Sequence, residues 1–491
     1  MLFHSVNFLF FFTIIFSLHW FLFSQSVKKQ NFILVLASYF FYASWDYRFL
    51  LLLLLSTLID FFTGIRISEA KTSSNKKIWL AISMALNIGI LVFFKYFNFI
   101  ADNLMFLFQS IGMPRNTIQY NAIQPIINII LPIGISFYTF HGISYVLDIY
   151  FKRIIPTKSF SEYALFVCFF PLLIAGPIER ANHLLPQLKK RRKFLNEDAV
   201  DGLKQILWGL FKKVVIADNC AEYVNYAFNQ YESLPGSTLA IGVVFFSFQI
   251  YCDFSGYTDM AIGIGKLFGI QLLKNFSFPY FSTSIAEFWR KWHISLTSWF
   301  KDYLYIPLGG SRGSKFKTIV NTLVVFLVSG FWHGANWTFI IWGLIHFSFF
   351  LPGLLSRNNQ INNGEINSES KGSGLFQLVS MLFTFCLVSF AWIFFRATNL
   401  DHAIGYIQSI GTHPFWINPF LDPTFKKALL VILLLIFFNC IEWMGRNNNF
   451  AIEAVLIQKS RFIRWSFYSS LLFLIGMYMH AGTSPFIYFQ F

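Results

Sequence analysis

Apolar residues fall in long runs near 6–25, 31–45, 49–65, 79–100, 124–150, 161–178, 203–217, 236–252, 257–273, 318–332, 337–355, 374–396, 427–444 and 464–482. Membrane strands are short and alternate, so runs of this length predict helices rather than a barrel. Some runs are too short to cross the hydrocarbon core. The pattern predicts about 11 true spans, with the remaining runs as re-entrant or interfacial pieces.

The charges between the runs predict how the chain threads the bilayer. No basic region precedes the first run and no small-residue cleavage site follows it, so it reads as a retained span with its N-terminus outside. Lys28 and Lys29 would then face the cytoplasm, "WDYR" at 45–48 the outside, and "RISEAKTSSNKK" at 66–77 the cytoplasm again. Both "FKRIIPTK" at 151–158 and "KKRRK" at 189–193 are basic. They cannot both be cytoplasmic if 161–178 crosses once. The intervening "VCFFPLLIAGPIER" carries Pro171, Gly176 and Pro177, which break helices. A re-entrant 161–178 resolves the conflict, since broken helices are tolerated where they line a protein cavity.

Composition agrees with this pattern. Of the 491 residues, 56% are hydrophobic and 12% charged, about half the charge of a soluble domain. The chain is therefore an integral membrane protein whose partner is the lipid bilayer. A net charge of +15 would point to nucleic acid in a soluble protein; here it sits in short loops as a topology signal, and no nucleic-acid partner is expected. The five cysteines are scattered without a C-x-x-C pair, so neither a disulfide framework nor a zinc site is expected. The polar stretch "SRNNQINNGEINSESKGS" at 356–373 reads as a flexible loop. With no internal repeat and no soluble module, 1–491 reads as one membrane domain.

Candidate chemistry lies where polar residues interrupt apolar sequence. In "VSGFWHGANW", 328–337, His333 stands beside Gly330, Gly334 and Asn336, where an overlong apolar run must turn. An ionisable residue at such a place is a functional hypothesis, because polar groups in hydrocarbon are costly. Its imidazole could take a proton from a hydroxyl; a packing histidine bonded to a backbone carbonyl is the alternative. In 284–303, Ser284 and Glu287 fit a capping box, and the helix after it would carry Trp289, Trp292, Leu296, Trp299 and Tyr303 on one side. His293 would lie at the edge of that stripe, as an interfacial residue or facing a cavity. Gln249, Asp253, Ser255 and Asp259 interrupt 246–265, where the two carboxylates could orient a histidine or relay protons, or cap a helix. His141 and Asp148 in 131–150 are weaker candidates. His4, His19, His183, His346, His402, His413 and His480 have no company that points to a site. No Walker A loop, G-x-S-x-G elbow or H-E-x-x-H motif is present.

"YASWDYRFLLLLLLSTLIDFFTGI", "LPIGISFYTFHGISYVLDIY", "FFPLLIAGPIER", "FSFQIYCDFSGYTDMAIG", "NFSFPYFSTSIAEFWRKWHISLTSWFKDYLYIPLGGSRG", "FWHGANW" and "AWIFFRA" stand in this order over most of residues 35–400. Together they resemble the membrane-bound O-acyltransferase (MBOAT) family, in its bacterial branch of alginate O-acetyltransferase membrane subunits. The resemblance implies an all-α polytopic fold, a ring of helices around a central tunnel. It implies that His333 is the catalytic histidine and that His293 matches the family's second histidine. Trp332, Asn336, Arg290, Lys291 and Asp253 are the accompanying candidates for substrate binding. The core motifs span 131–400, and 401–491 match less distinctively.

The implied activity is transfer of acetyl from a cytoplasmic thioester, acetyl-CoA or another acyl thioester, to an exported polysaccharide. No metal or bound cofactor is expected. An extracytoplasmic acetyltransferase is the expected protein partner, and the cell membrane the expected location. Two rivals remain: D-alanyl transfer to teichoic acid, and a transporter without covalent chemistry. "KKRRK" could help hold a donor's phosphates or be an ordinary positive-inside loop.

Overall fold

The computed structural model describes residues 1–112, 130–356, 374–454, 456, 458–479 and 486. The expectations for 357–373 and for the apolar residues 124–129 lie outside them. Every regular element among the described residues is a helix. Seven are long and apolar enough to cross a membrane: Tyr47–Glu69, Ser73–Ser110, Gly236–Leu267, Lys315–His333, Trp337–Ser356, Gly374–Arg396 and Phe425–Gly445. The sequence pattern predicts about 11. Other apolar runs fold as shorter helices, such as Val27–Ala43 with 17 residues and Ile135–Tyr150 with 16.

The chain divides into two compact units, Met1–Leu195 with Gly265–Leu272, and Asn196–Ile264 with Leu273–Phe491. In the first, helix starts follow local chemistry. The Ser26 and Thr72 side chains accept the backbone N–H groups of Lys29 and Asn75, supplying partners that a first turn lacks. The segment predicted to be broken is broken. A helix over Phe160–Cys168 stops at Phe169, and a single turn follows over Phe170–Leu173. The interruption precedes Pro171, because proline is tolerated in a first helical turn. The freed backbone groups are repaired by side chains. Ser38 Oγ accepts the Phe170 N–H at 3.0 Å, and His141 Nε2 accepts the Glu179 N–H at 2.9 Å. His141 thus holds a broken backbone in place, and Asp148 pairs with Arg153 at 3.2 Å.

In the second unit, Lys315–His333 and Trp337–Ser356 form a tight helical hairpin. Two glycines let its arms approach: a Cβ on Gly330 would strike the Phe339 carbonyl oxygen, and one on Gly343 that of Phe326. Gly343→Val is therefore expected to lower stability by about 1–3 kcal/mol through overpacking. It should be seen as a reduced unfolding temperature of the purified protein, and an unchanged temperature would refute the close approach.

Candidate active site

The aromatic stretch after Ser284 does not form the single helix that its spacing predicts. Ser284 Oγ accepts the Glu287 N–H at 3.2 Å, as a capping residue should. The Glu287 carboxylate reaches back to the N–H and Oγ1 of Thr283, both at 2.8 Å, one residue beyond the expected partner. The helix ends at Lys291, and a second runs over Ile294–Phe300. Between them Trp292 is extended and His293 has φ 43°, in the left-handed region. Such a backbone in a non-glycine residue costs on the order of 1–3 kcal/mol and persists only where its surroundings impose it.

Residues 275–277 impose it. The Ser277 N–H bonds to the Lys291 carbonyl at 3.0 Å, and the Ile294 N–H to the Asn275 carbonyl at 2.8 Å. Ser295 Oγ adds a 2.5 Å bond to Asn275 Oδ1. Trp289, Trp292, Leu296, Trp299 and Tyr303 consequently do not share one face of one helix. His293 is buried, at 1% exposure, rather than interfacial. Both its ring nitrogens lack a hydrogen-bond partner among the described residues. Burial lowers its pKa to about 3, so the ring is neutral at physiological pH.

His333 closes the helix Lys315–His333 and is buried. Gly334 is extended, and Asn336 opens the next helix. Asn336 Oδ1 accepts the Thr338 N–H at 3.0 Å, while Nδ2 donates to the Thr398 carbonyl at 2.8 Å. The predicted turn at Gly334–Asn336 is thus present, and the Asn336 side chain is engaged with backbone.

Trp332 joins the two histidines. Its indole lies 6.1 Å, centroid to centroid, from the His293 ring and 5.0 Å from that of His333. On its other side His333 meets Trp342 at 5.2 Å, and Trp342 meets a third histidine, His346, at 4.8 Å. His346 is fully buried and also packs on Trp289 at 4.9 Å. It gave no sequence signal beyond its place one turn after Trp342. Which rings face it depends on the helix Ile285–Lys291.

The other candidates are placed differently. Arg290 is exposed and lines a 560 Å³ cavity together with Trp289, Thr297, Lys301, Lys315 and Ser329. Ser329 lies one helical turn before His333, and Thr297 one turn after His293. Lys291 is tied to Glu287 at 2.7 Å and does not line the cavity. Asp253 is buried and paired with Lys213 at 2.9 Å. Its neighbour Phe254, not Asp253, meets the His293 ring, at 4.7 Å. Asp259 pairs with Lys212 at 2.5 Å. No cluster that could hold a metal occurs among the described residues. The arrangement offers two buried imidazoles among aromatic rings; neither lines the cavity itself, whose basic residues lie on the same helices and their neighbours. Imidazole there can accept or donate a proton without first losing one to water.

Comparison with known proteins points the same way. Residues 152–362 match the model of MBOAT, the membrane-bound O-acyltransferase family. The chain is 37% identical over 453 residues to the probable alginate O-acetylase AlgI of Azotobacter vinelandii, covering 92% of this chain and 86% of that protein. It is 39% identical over 404 residues to the peptidoglycan O-acetyltransferase of Helicobacter pylori, covering 77% and 73%. A teichoic acid D-alanyltransferase of Bacillus subtilis is 30% identical over 239 residues, covering 45% of this chain and 58% of that protein. An acyltransferase, not a transporter, is what two matched acetyltransferases, the helical fold and the buried histidines have in common: the chain belongs to the membrane-bound O-acyltransferase family, in the branch of the alginate O-acetylases.

Proposed function

We propose that this protein moves acetyl groups from a cytoplasmic acyl thioester to hydroxyls of an exported polysaccharide, with His333 as general base and His293 as hydrogen-bond donor to the reacting carbonyl. The observation that carries the reading is the placement of both buried histidines against Trp332, each one helical turn from a residue lining the same cavity. The similarity to an alginate O-acetylase and a peptidoglycan O-acetyltransferase supports acetyl as the group and an exported glycan as the acceptor. The D-alanyltransferase match covers less than half of this chain and favours that reading less.

The chemistry balances without a metal. His333 takes the proton of the attacking hydroxyl as its oxygen bonds the thioester carbonyl carbon. Negative charge gathers on the carbonyl oxygen, where an N–H from neutral His293 stabilises it. The C–S bond then breaks, and His333 returns the proton to the leaving thiolate, giving ester and thiol. Arg290, Lys301 and Lys315 line the cavity with cations suited to the phosphates of acetyl-CoA or of a carrier-bound thioester. Such a protein would work in the cell membrane, with an extracytoplasmic acetyltransferase as its protein partner.

The test is reconstitution. Purified protein in proteoliposomes should consume acetyl-CoA faster when an acceptor polysaccharide is present; consumption of D-alanyl carrier thioester alone would refute the acetyl reading. In the same assay Lys301→Gln is expected to raise the donor KM about tenfold with kcat little changed, the signature of lost uniform binding. An unchanged KM would remove the cavity from the donor site.

A further inference from the structure

The first unit contains a cleft that the acyl-transfer reading does not use. It has a volume of 560 Å³ and is lined by Phe16, Trp20, Phe21, Ser24 and the basic stretch Arg191–Phe194. Arg191 and Lys193 are exposed, as positive-inside residues ordinarily are. Arg192 is not: it is 5% exposed. One guanidinium nitrogen bonds to Asn31 Oδ1, and Asn31 is itself fixed by its own bond to the Leu188 carbonyl at 2.8 Å. The remaining two, Nε and Nη1, have no hydrogen-bond partner, and no carboxylate pairs with Arg192 among the described residues.

A buried arginine without a counter-charge is unfavourable in a finished fold, because its desolvation is not offset. A topology signal would be met equally well by a cation in water, so the positive-inside rule does not explain the burial. The guanidinium fork matches the oxygens of phosphate in a bidentate manner. The rest of the cleft says what carries the phosphate. Phe16, Trp20 and Phe21 come from the first apolar helix and its end, and Phe21 is 84% exposed. Aromatic rings beside cations are the composition of a membrane–water interface, and basic pockets at helix ends there take anionic headgroups.

We propose that this cleft binds one anionic phospholipid, its phosphate on Arg192 with Arg191 and Lys193 beside it, and its acyl chains along Phe16, Trp20 and Phe21. The site is independent of the acyl-transfer reading and stands or falls without it.

The test uses the full-length protein in nanodiscs. Phosphatidylglycerol is expected to raise the unfolding midpoint by at least about 3 °C over phosphatidylcholine. After extensive delipidation, native mass spectrometry should find one retained phosphatidylglycerol. Arg192→Met should lose both effects, whereas the charge-matched control Lys28→Gln, outside the cleft, should keep them. If Arg192→Met does not fold, Lys193→Gln/Phe21→Ser, which alters only exposed side chains, should weaken retention instead. Equal retention by the cleft variants and wild type would overturn the proposal. So would the same stabilisation by millimolar inorganic phosphate, which would assign the site to a free ion. Displacement of the lipid by acetyl-CoA would assign it to the donor.

Discussion

His333→Ala protein is expected to insert and accumulate normally while transferring acetyl near background. A positioned general base contributes roughly 10²–10⁴-fold in rate. His346 lies beyond Trp342, in contact with that ring. Truncation also removes packing, because the His333 ring rests on Trp332, Trp342 and Phe395. His333→Gln is the companion variant. It keeps much of the volume and a polar amide but cannot take a proton near pH 7. Both variants should show comparable loss of acetyl transfer per mole of folded protein, measured with labelled acetyl-CoA. Near-normal transfer by either one would remove the proposed base.

His293→Ala is expected to cut turnover by about 10–100-fold, somewhat less than the 10²–10³ that loss of one oxyanion-hole donor commonly costs. Its backbone complicates the reading, since alanine is strained at the φ of 43° that His293 adopts. His293→Gly separates the two effects, because glycine accepts left-handed geometry freely and carries no side-chain donor. If chemistry is at stake, both variants lose kcat; if strain alone matters, His293→Gly recovers. Trp292→Ala is the packing control. That ring is buried against Phe276 and Trp392, each at 5.0 Å, and its loss should cost about 3–5 kcal/mol of stability and show in yield. A His293→Ala protein with normal yield and turnover would leave His333 as the only side chain with a proposed step.

The charge state of His293 adds a pH signature. With a folded pKa of about 3 against an ordinary 6.5, the folded protein leaves this ring neutral where the unfolded chain would protonate it. The site's penalty is absent well above pH 6.5 and grows as pH falls below it, so acid destabilises the fold through this group. An acid limb of kcat between pH 5 and 7 in folded protein must therefore belong to another group, and His293→Gly should leave its midpoint in place.

Much of this molecule is legible along the chain. Long apolar runs broken by basic loops determine a helical membrane protein, because an unpaired backbone cannot be left in hydrocarbon. Local chemistry also determines several helix boundaries, at Ser26, Thr72 and Ser284. The turn after His333 follows from a run too long for one span, interrupted by Gly334 and Asn336. The family motifs point to His333 and His293, and the comparisons agree on the family.

Tertiary structure alone decided the rest. Periodicity treats 285–303 as one helix, since nothing in its own residues demands a stop at Trp292. The break is imposed by Asn275 and Ser277, whose hydrogen bonds to Ile294 and Lys291 come from another part of the chain. It turns His293 from the edge of a stripe into the interior. His346 reads as an isolated residue until the helix Ile285–Lys291 brings Trp289 against it. Arg192 is indistinguishable from its basic neighbours until Asn31 draws it inward. Local pattern specifies which backbone groups need partners and which faces are apolar. Burial of a polar side chain depends on what a distant segment lays over it, and that is set only when the helices pack.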